Sequence, residues 1–255
     1  MDSAHRQAVA VLLREASGHH LGSGVLVGAA TGGRWVVSNR HVVGDQSTVC
    51  VVTADRTASA ALVMPQPRSQ RRSRLDLALI WLPSSGKEMA VVADVREKEP
   101  KAETLPLIVS TGFPTPLSSP INGPPYSERP GLLVPLLEAP LEDGLDLTYT
   151  ASIDKGMSGG GVFLGHKLIG INSAHREPLW PGRWRDASGR AVDEQLNQKL
   201  DLVSLGVSSK NIAQAVKAAA LPSGGELDRL MELDCNKSMD PAKPAIQSSN
   251  TPTNW

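Results

Sequence analysis

Gly156-Met157-Ser158-Gly159-Gly160-Gly161, running straight into Val162-Phe163-Leu164, is the stretch on which the fold turns. A serine sits among glycines immediately ahead of an apolar segment. Glycine takes positive φ without steric penalty and has no Cβ to block an approaching carbonyl group. A hydroxyl can therefore be presented as a nucleophile while the backbone N–H groups around it stay free to hold an oxyanion. Glycine-rich turns with a serine are common in β proteins, so the string gains its meaning from what lies upstream.

Serine is a poor nucleophile at neutral pH and needs a base within hydrogen-bond reach, which in turn needs an orienting acid. Of the six histidines, His41 stands out, because it follows the apolar segment Arg34-Trp-Val-Val-Ser38 and lies in the short turn Asn39-Arg-His-Val-Val43. The candidate acid is Asp76, at the mouth of the apolar run Leu75-Asp-Leu-Ala-Leu-Ile80. A carboxylate placed there is partly buried, which costs several kcal/mol or raises its pKa unless a partner compensates. An imidazole N–H is a natural partner.

Around these three residues the chain consists of short apolar segments divided by turn residues. Strands are expected over Ala8–Leu13, Gly24–Gly28, Arg34–Ser38, Thr48–Thr53, Ser59–Met64, Leu77–Leu82, Leu105–Thr111, Leu132–Leu137, Leu145–Thr150, Gly161–Leu164, Lys167–Ser173 and Leu200–Val207. That spacing points to barrels or a sandwich and not to a parallel sheet with crossover helices. One helix is expected over Asn211–Leu221, capped by Ser208 or Ser209 and stopped by Pro222-Ser-Gly-Gly225. Charged Glu88–Lys101 suits a connector between two β units. Residues 223–255 are polar, with Pro241, Pro244 and Pro252, and read as a disordered tail.

Together, Gly22-Ser-Gly-Val-Leu-Val-Gly28, Val36-Val-Ser-Asn-Arg-His-Val-Val43, Leu75-Asp-Leu-Ala-Leu79, Gly156-Met-Ser-Gly-Gly160 and Lys167-Leu-Ile-Gly-Ile-Asn-Ser173 resemble the trypsin/chymotrypsin-fold serine peptidases. The resemblance runs from about Ala8 to Ala220 and is nearest to bacterial trypsin-like peptidase domains, including the high-temperature-requirement group. The order His…Asp…Ser is the family's. It implies an all-β domain over 8–222, with two six-stranded antiparallel barrels (about 8–86 and 100–207), the active site between them, and a C-terminal helix. Carried over, Ser158 is the nucleophile, His41 the general base and Asp76 the acid that orients it. The N–H groups of Gly156 and Ser158 form the oxyanion hole. Ser173, or one residue earlier Asn172, supports the acid. Ser152 lies at the base of the primary specificity pocket with Asp154 nearby, and Ala174 and His175 line its wall. A neutral base argues against a strict Arg/Lys preference.

The chain departs from the family at several points. No Ile/Val-Val-Gly-Gly activation site stands near the start, and Met157 replaces the aspartate that in trypsin-like zymogens pairs with a freed N-terminus. Arg176–Gln198 is longer than a minimal domain needs, and the Pro-rich stretch Phe113–Pro130 is expected to border the cleft.

Composition narrows the partners. The 26 basic residues balance 26 acidic ones, so charge gives no reason to expect nucleic acid or a membrane surface, and a protein or peptide substrate is the expected partner. The histidines are scattered and the cysteines single, so neither a metal site nor a cofactor is expected. Cys50 falls mid-strand and Cys235 in the polar tail, which reads as two unpaired thiols and a cytoplasmic location, the alternative being periplasmic or secreted if the chain is a processed form. Gly156–Gly160 also fits the G-x-S-x-G elbow of α/β-hydrolases. That elbow needs a helix directly after the serine, where this chain has glycines and a hairpin. The remaining alternative is a trypsin-fold module that binds a peptide strand without cutting it.

Overall fold

The computed structural model describes residues 2–65, 75–84, 93–96, 105–115, 124–174, 183–228, 230, 231 and 233–235. A short helix, α1 (Asp2–Val9), leads into β1 (Ala10–Arg14), β2 (His20–Ala30) and β3 (Gly33–Ser38). The four-residue α2 (Arg40–Val43) follows, then β4 (Thr48–Val52), β5 (Ala58–Val63) and β6 (Ala78–Pro83). These six strands close into an antiparallel barrel in the order β1-β2-β3-β6-β5-β4.

The second unit contains β7 (Asp94–Val95), β8 (Leu107–Gly112), β9 (Ser127–Leu132), β10 (Leu147–Tyr149), β11 (Gly161–Leu164), β12 (Lys167–Ala174) and β13 (Ser204–Ser208). Its sheet runs β10-β13-β12-β11-β8-β9, with β7 added in parallel beside β12. The sheet curls until its ends meet, where Leu133, just past β9, bridges to Tyr149 of β10. Read around that cycle, β8-β9-β10-β13-β12-β11 repeats the strand order of the first barrel. The two units share one topology, although no internal repeat is visible in the sequence.

Short apolar runs rich in β-branched residues, buried along most of their length, explain why these segments are strands. Val9, Val11 and Leu13 are fully buried, and Val36, Val37 and Ile80 join them inside the first barrel. Trp35 and Trp81 meet edge to face at 4.8 Å on neighbouring strands. In the second barrel Ile108, Tyr149, Met157, Val162 and Ile169 form a separate cluster. Each such side chain contributes roughly 1.5–3 kcal/mol by leaving water.

Several expectations are corrected. The first strand starts at Ala10, because residues 2–9 are helical and the helix buries Arg6 (7 % exposed). Leu132–Leu137 is not a strand: β9 lies earlier, so Ser127–Pro130 is pairing backbone and not loop, with Pro130 opposite Val109. Leu200 ends a helix, α3 (Glu194–Leu200), and the last strand begins only at Ser204. The C-terminal helix of the domain, α4, spans Ser209–Ala218. Its N-terminal end is held by Asp146, whose carboxylate accepts from the Ser208 N–H at 2.7 Å, the Ser208 hydroxyl at 2.6 Å and Asn211 Nδ2 at 3.0 Å.

The stretch expected to be a disordered tail is folded in its first part. Helix α5 (Gly224–Asp228) and the buried Leu230 pack on the first barrel, and Cys235 is disulfide-bonded to Cys50 of β4. Reading both cysteines as unpaired is therefore wrong: a separation of 185 residues hid a pair whose Cα atoms lie 5.6 Å apart. The rest of that stretch, 236–255, lies outside the described residues, as do His175 and the arginine-rich segment 68–74. No helix among the described residues is long and apolar enough to cross a membrane.

Candidate active site

His41 stands in α2, the turn that follows β3, and Asp76 stands just before β6, the strand paired with β3. The pairing brings the two together. His41 Nδ1 lies 2.8 Å from Asp76 Oδ2, and the His41 backbone N–H donates to Asp76 Oδ1 at 3.1 Å. An acceptor-only carboxylate fixes the tautomer with hydrogen on Nδ1, leaving Nε2 as the basic nitrogen. The His41 side chain is 49 % exposed and that of Asp76 only 8 %, so the imidazole is reachable while its acid is enclosed. Burial pushes the Asp76 carboxyl up. The His41 ring, its charge, its backbone N–H and the Ser173 hydroxyl together outweigh this and hold the carboxyl below its ordinary value.

The choice between Asn172 and Ser173 is decided by strand alternation with a bulge. The β12–β13 register shifts between Asn172 and Ala174, which turns Ser173 toward the first barrel. There its hydroxyl receives Asn39 Nδ2 at 2.6 Å and bonds the Asp76 carboxylate, while the same Asn39 nitrogen donates to the Asp76 carbonyl at 2.9 Å. Asn172 faces the interior of the second barrel, fully buried and fully paired. Its Oδ1 accepts from the Ser110 hydroxyl at 2.8 Å and the Tyr149 hydroxyl at 2.7 Å. Its Nδ2 donates to the carbonyls of Thr111 at 2.9 Å and Met157 at 3.1 Å.

The serine turn is held by its carbonyl groups. Lys155 O accepts from the Thr115 N–H at 2.7 Å, and Gly156 O from the Ser23 hydroxyl at 2.7 Å. Met157 O accepts from Gly160 N–H at 3.0 Å, and Ser158 O from Ser23 N–H at 2.9 Å. In a planar trans peptide the N–H points opposite to the C=O of the preceding residue. With the Lys155 and Met157 carbonyls turned into the protein, the N–H groups of Gly156 and Ser158 point away from it. Neither donates a hydrogen bond among the described residues. Gly156 has φ +94°, and a Cβ there would lie 2.6 Å from Thr115 Oγ1 and 2.7 Å from His20 Cε1. Met157, where an aspartate would carry charge in a zymogen, is instead a fully buried apolar anchor in the second core.

Sequence reasoning missed three supports of this turn: Ser23, His20 and Thr115. His20 Nε2 lies 3.1 Å from the Gly22 carbonyl and Nδ1 lies 3.1 Å from Thr115 Oγ1. The carbonyl can only accept, so Nε2 carries the hydrogen; burial lowers the pKa of the ring and favours this neutral form. The glycine string upstream, Gly22-Ser-Gly24, was a signal that backbone approaches closely there.

Gly22 lies against both the segment that follows His41 and the backbone of Ser158. A Cβ on that glycine would lie 2.9 Å from Val42, the residue after His41, and 3.1 Å from the Ser158 carbonyl. The Ser158 hydroxyl itself makes no hydrogen bond among the described residues. Ser152, expected at the pocket base, is half-buried, and the nearby Asp154 is exposed and paired with Arg129 at 3.1 Å. Ala174 ends β12 beside Ser173; His175 lies outside the described residues. Among the described residues no group of three His, Cys, Asp or Glu side chains is placed to hold a metal ion.

The family model of the trypsin-like peptidase domain matches residues 22–171, which hold all three candidate residues. The chain belongs to the trypsin-like peptidase domain family. Solved proteases share its fold. A serine endoprotease from Yersinia pestis superposes with a TM-score of 0.53 at 17% identity, over 83% of this chain and 62% of that one. The HtrA-type protease AlgW with tripeptide gives 0.57 at 16% identity, over 84% and 62%. The Rv3671c protease in its inactive form gives 0.53 at 17% identity, over 85% and 92%. The matched region is thus about three-fifths of the Yersinia pestis and AlgW chains, and at these identities the likeness is one of fold. No curated protein matches the sequence.

Proposed function

We propose that this trypsin-like domain is a serine endopeptidase that hydrolyses peptide bonds through an acyl-enzyme on Ser158. His41 Nε2 takes the Ser158 proton as the hydroxyl attacks the scissile carbonyl, then returns it to the leaving amine. Asp76 holds the Nδ1–H tautomer and stabilises the imidazolium. The outward N–H groups of Gly156 and Ser158 receive the oxyanion. The chemistry requires no cofactor.

The observation that carries this reading is the anchored turn. Every carbonyl from Lys155 to Ser158 is engaged, while the N–H groups of Gly156 and Ser158, the two needed for catalysis, donate no hydrogen bond among the described residues. A module that only binds peptide would tolerate that turn in either orientation. Support for a preformed site also comes from Met157, whose buried side chain fixes the turn without a freed N-terminus.

The pocket reading is that Ser152, Ser173, Ala174 and His175 take a small or medium apolar side chain. The pairing of Asp154 with Arg129 supports this, because the carboxylate two residues from Ser152 is already held by a basic side chain. Peptide ligands are named in structures of the AlgW protease, and an extended peptide in the cleft is the substrate proposed for this chain. The Cys50–Cys235 bridge supports an oxidising compartment, in place of the cytoplasmic location expected for unpaired cysteines.

Hydrolysis of a mixed peptide library tests both parts. Cleavage lost in Ser158→Ala, after small or medium apolar residues, is expected. A folded wild-type chain that cuts nothing contradicts the activity, and dominant cleavage after Arg or Lys contradicts the pocket.

A further inference from the structure

The region whose purpose the sequence did not reveal, around Arg176–Gln198, connects to the candidate catalytic acid through the loop 141–145. In its described part, Trp184–Val192 forms a hairpin, with Arg185 bridged to Ala191 and the Val192 N–H donating to the Trp184 carbonyl at 2.9 Å. Helix α3 holds the hairpin's base, since Asn197 Oδ1 accepts from the Trp184 N–H at 2.9 Å and Asp201 from its indole at 3.2 Å. The hairpin edge pairs with the loop 141–145: Leu141 bridges to Asp186, and the Glu142 N–H donates to the Arg185 carbonyl at 2.9 Å.

That loop belongs to the second barrel, yet its tip rests on the first. The Asp143 carbonyl accepts the backbone N–H of Asp76 at 2.8 Å. The Asp143 carboxylate accepts Arg40 NH2 at 2.8 Å, and Arg40 is the residue directly before His41. Asp143 has φ +59°, a left-handed conformation uncommon for a residue with a side chain. Gly144 follows at φ +71°, where a Cβ would overlap Leu75. A strained backbone held between the two members of one dyad points to a positioning role. Burial raises the pKa of Asp143 against the pull of Arg40, with the Asp76 and Glu142 carboxylates adding to the rise.

We propose that Asp143 is a positioning residue for the His41–Asp76 pair, its carbonyl fixing the acid's backbone and its carboxylate fixing the segment that carries the base. The claim rests on the assignment of His41 and Asp76 as base and acid. It makes the 183–201 insertion the outer support of that pair, connected to it through the loop 141–145.

Asp143→Gly separates the side chain from the backbone, since glycine keeps the left-handed conformation while deleting the carboxylate. It is expected to lower kcat about tenfold with KM unchanged, because a catalytic group has shifted and the substrate site has not. Arg40→Gln should match it, the double variant should be no worse than either single one, and Asp143→Asn should stay within about twofold of wild type by still accepting from Arg40. Independently of turnover, the low-field proton resonance of His41 Nδ1–H should broaden or vanish in Asp143→Gly at a melting temperature close to wild type. Wild-type kcat with an unchanged resonance in Asp143→Gly overturns the proposal, as does a fall in kcat/KM carried by KM alone. If wild type turns over no peptide but shows the resonance, and Asp143→Gly loses it, the peptidase reading fails while the positioning role stands.

Discussion

Ser23 of the first barrel holds Ser158 of the second: its backbone N–H donates to the Ser158 carbonyl at 2.9 Å while its hydroxyl donates to the Gly156 carbonyl at 2.7 Å. One residue of β2 therefore fixes two peptide planes of the serine turn. The same hydroxyl accepts the Phe113 N–H at 2.9 Å, so the link reaches the segment that follows β8 as well. The turn's geometry is a property of the barrel interface and not of the glycine string alone.

Ser23→Ala should leave the Gly156 carbonyl and the Phe113 N–H without their partner in a fully buried position. A stability loss of about 1–3 kcal/mol is expected from denaturant unfolding. Peptidase turnover should fall further than the stability loss explains, with KM little changed. Wild-type kcat in this variant would show that the turn holds itself.

Gly159 has φ +82°, and a Cβ there would overlap the Ser23 carbonyl oxygen, which is backbone and cannot move aside. Gly159→Ala should cost about 3 kcal/mol or more, or prevent folding. Gly165 has φ +63° but nothing within 4 Å of such a Cβ. Gly165→Ala should therefore cost only about 1–2 kcal/mol, the backbone term by itself. Equal losses in urea titrations of the two variants would mean that close packing at Gly159 is unimportant.

The contrast shows what the sequence disclosed. The apolar segments between turns gave most of the strands, because a half-buried strand writes its pattern locally, and the motif order placed His41 and Asp76 in contact. Interactions between distant segments left no local trace. Helix α1 read as the start of a strand because Val9 continues the apolar run of β1. β9 escaped notice because Ser127-Glu-Arg-Pro-Gly-Leu132 carries little apolar patterning and packs by its ion pairs. Asn172 and Ser173 are equivalent in a linear reading, and only the bulge between them assigns one to each barrel. The disulfide was invisible because nothing local marks two cysteines 185 residues apart as neighbours.

Arg6 anchors α1 to β9. Its Nε and NH2 donate to the two Glu128 carboxylate oxygens at 3.0 and 2.9 Å, and the Tyr126 hydroxyl donates to the same carboxylate at 2.7 Å. Burial pushes Glu128 up, but the Arg6 and Tyr126 hydrogen bonds prevail and hold it below its ordinary 4.5. A carboxyl lowered by folding stabilises the native state above its unfolded pKa, and that stabilisation is lost as pH falls through the folded value. Glu128→Gln should cost about 2 kcal/mol near neutrality, and its deficit against wild type should shrink below about pH 4.5. Thermal melts from pH 7 to pH 3 give the comparison, and a deficit that grows toward acid would contradict the assignment.

Cys50 is fully buried and Cys235 nearly so. The unreduced protein should show no free thiol after unfolding in the presence of an alkylating agent. Because the bridge closes a long loop, the Cys50→Ser, Cys235→Ser double variant should lose about 2–5 kcal/mol. Two alkylated cysteines in protein matured under oxidising conditions would remove both the bridge and the compartment inferred from it.

In the proposed mechanism His41, Asp76 and the outward amides of the serine turn make Ser158 a nucleophile. A fluorophosphonate probe, with the adduct located by mass spectrometry, measures this directly. Wild type should carry one adduct, on Ser158, and Ser158→Ala none, while His41→Ala should react on the order of a thousandfold or more slowly. A folded wild-type chain that takes up no probe, or carries it on a residue other than Ser158, would contradict the claim.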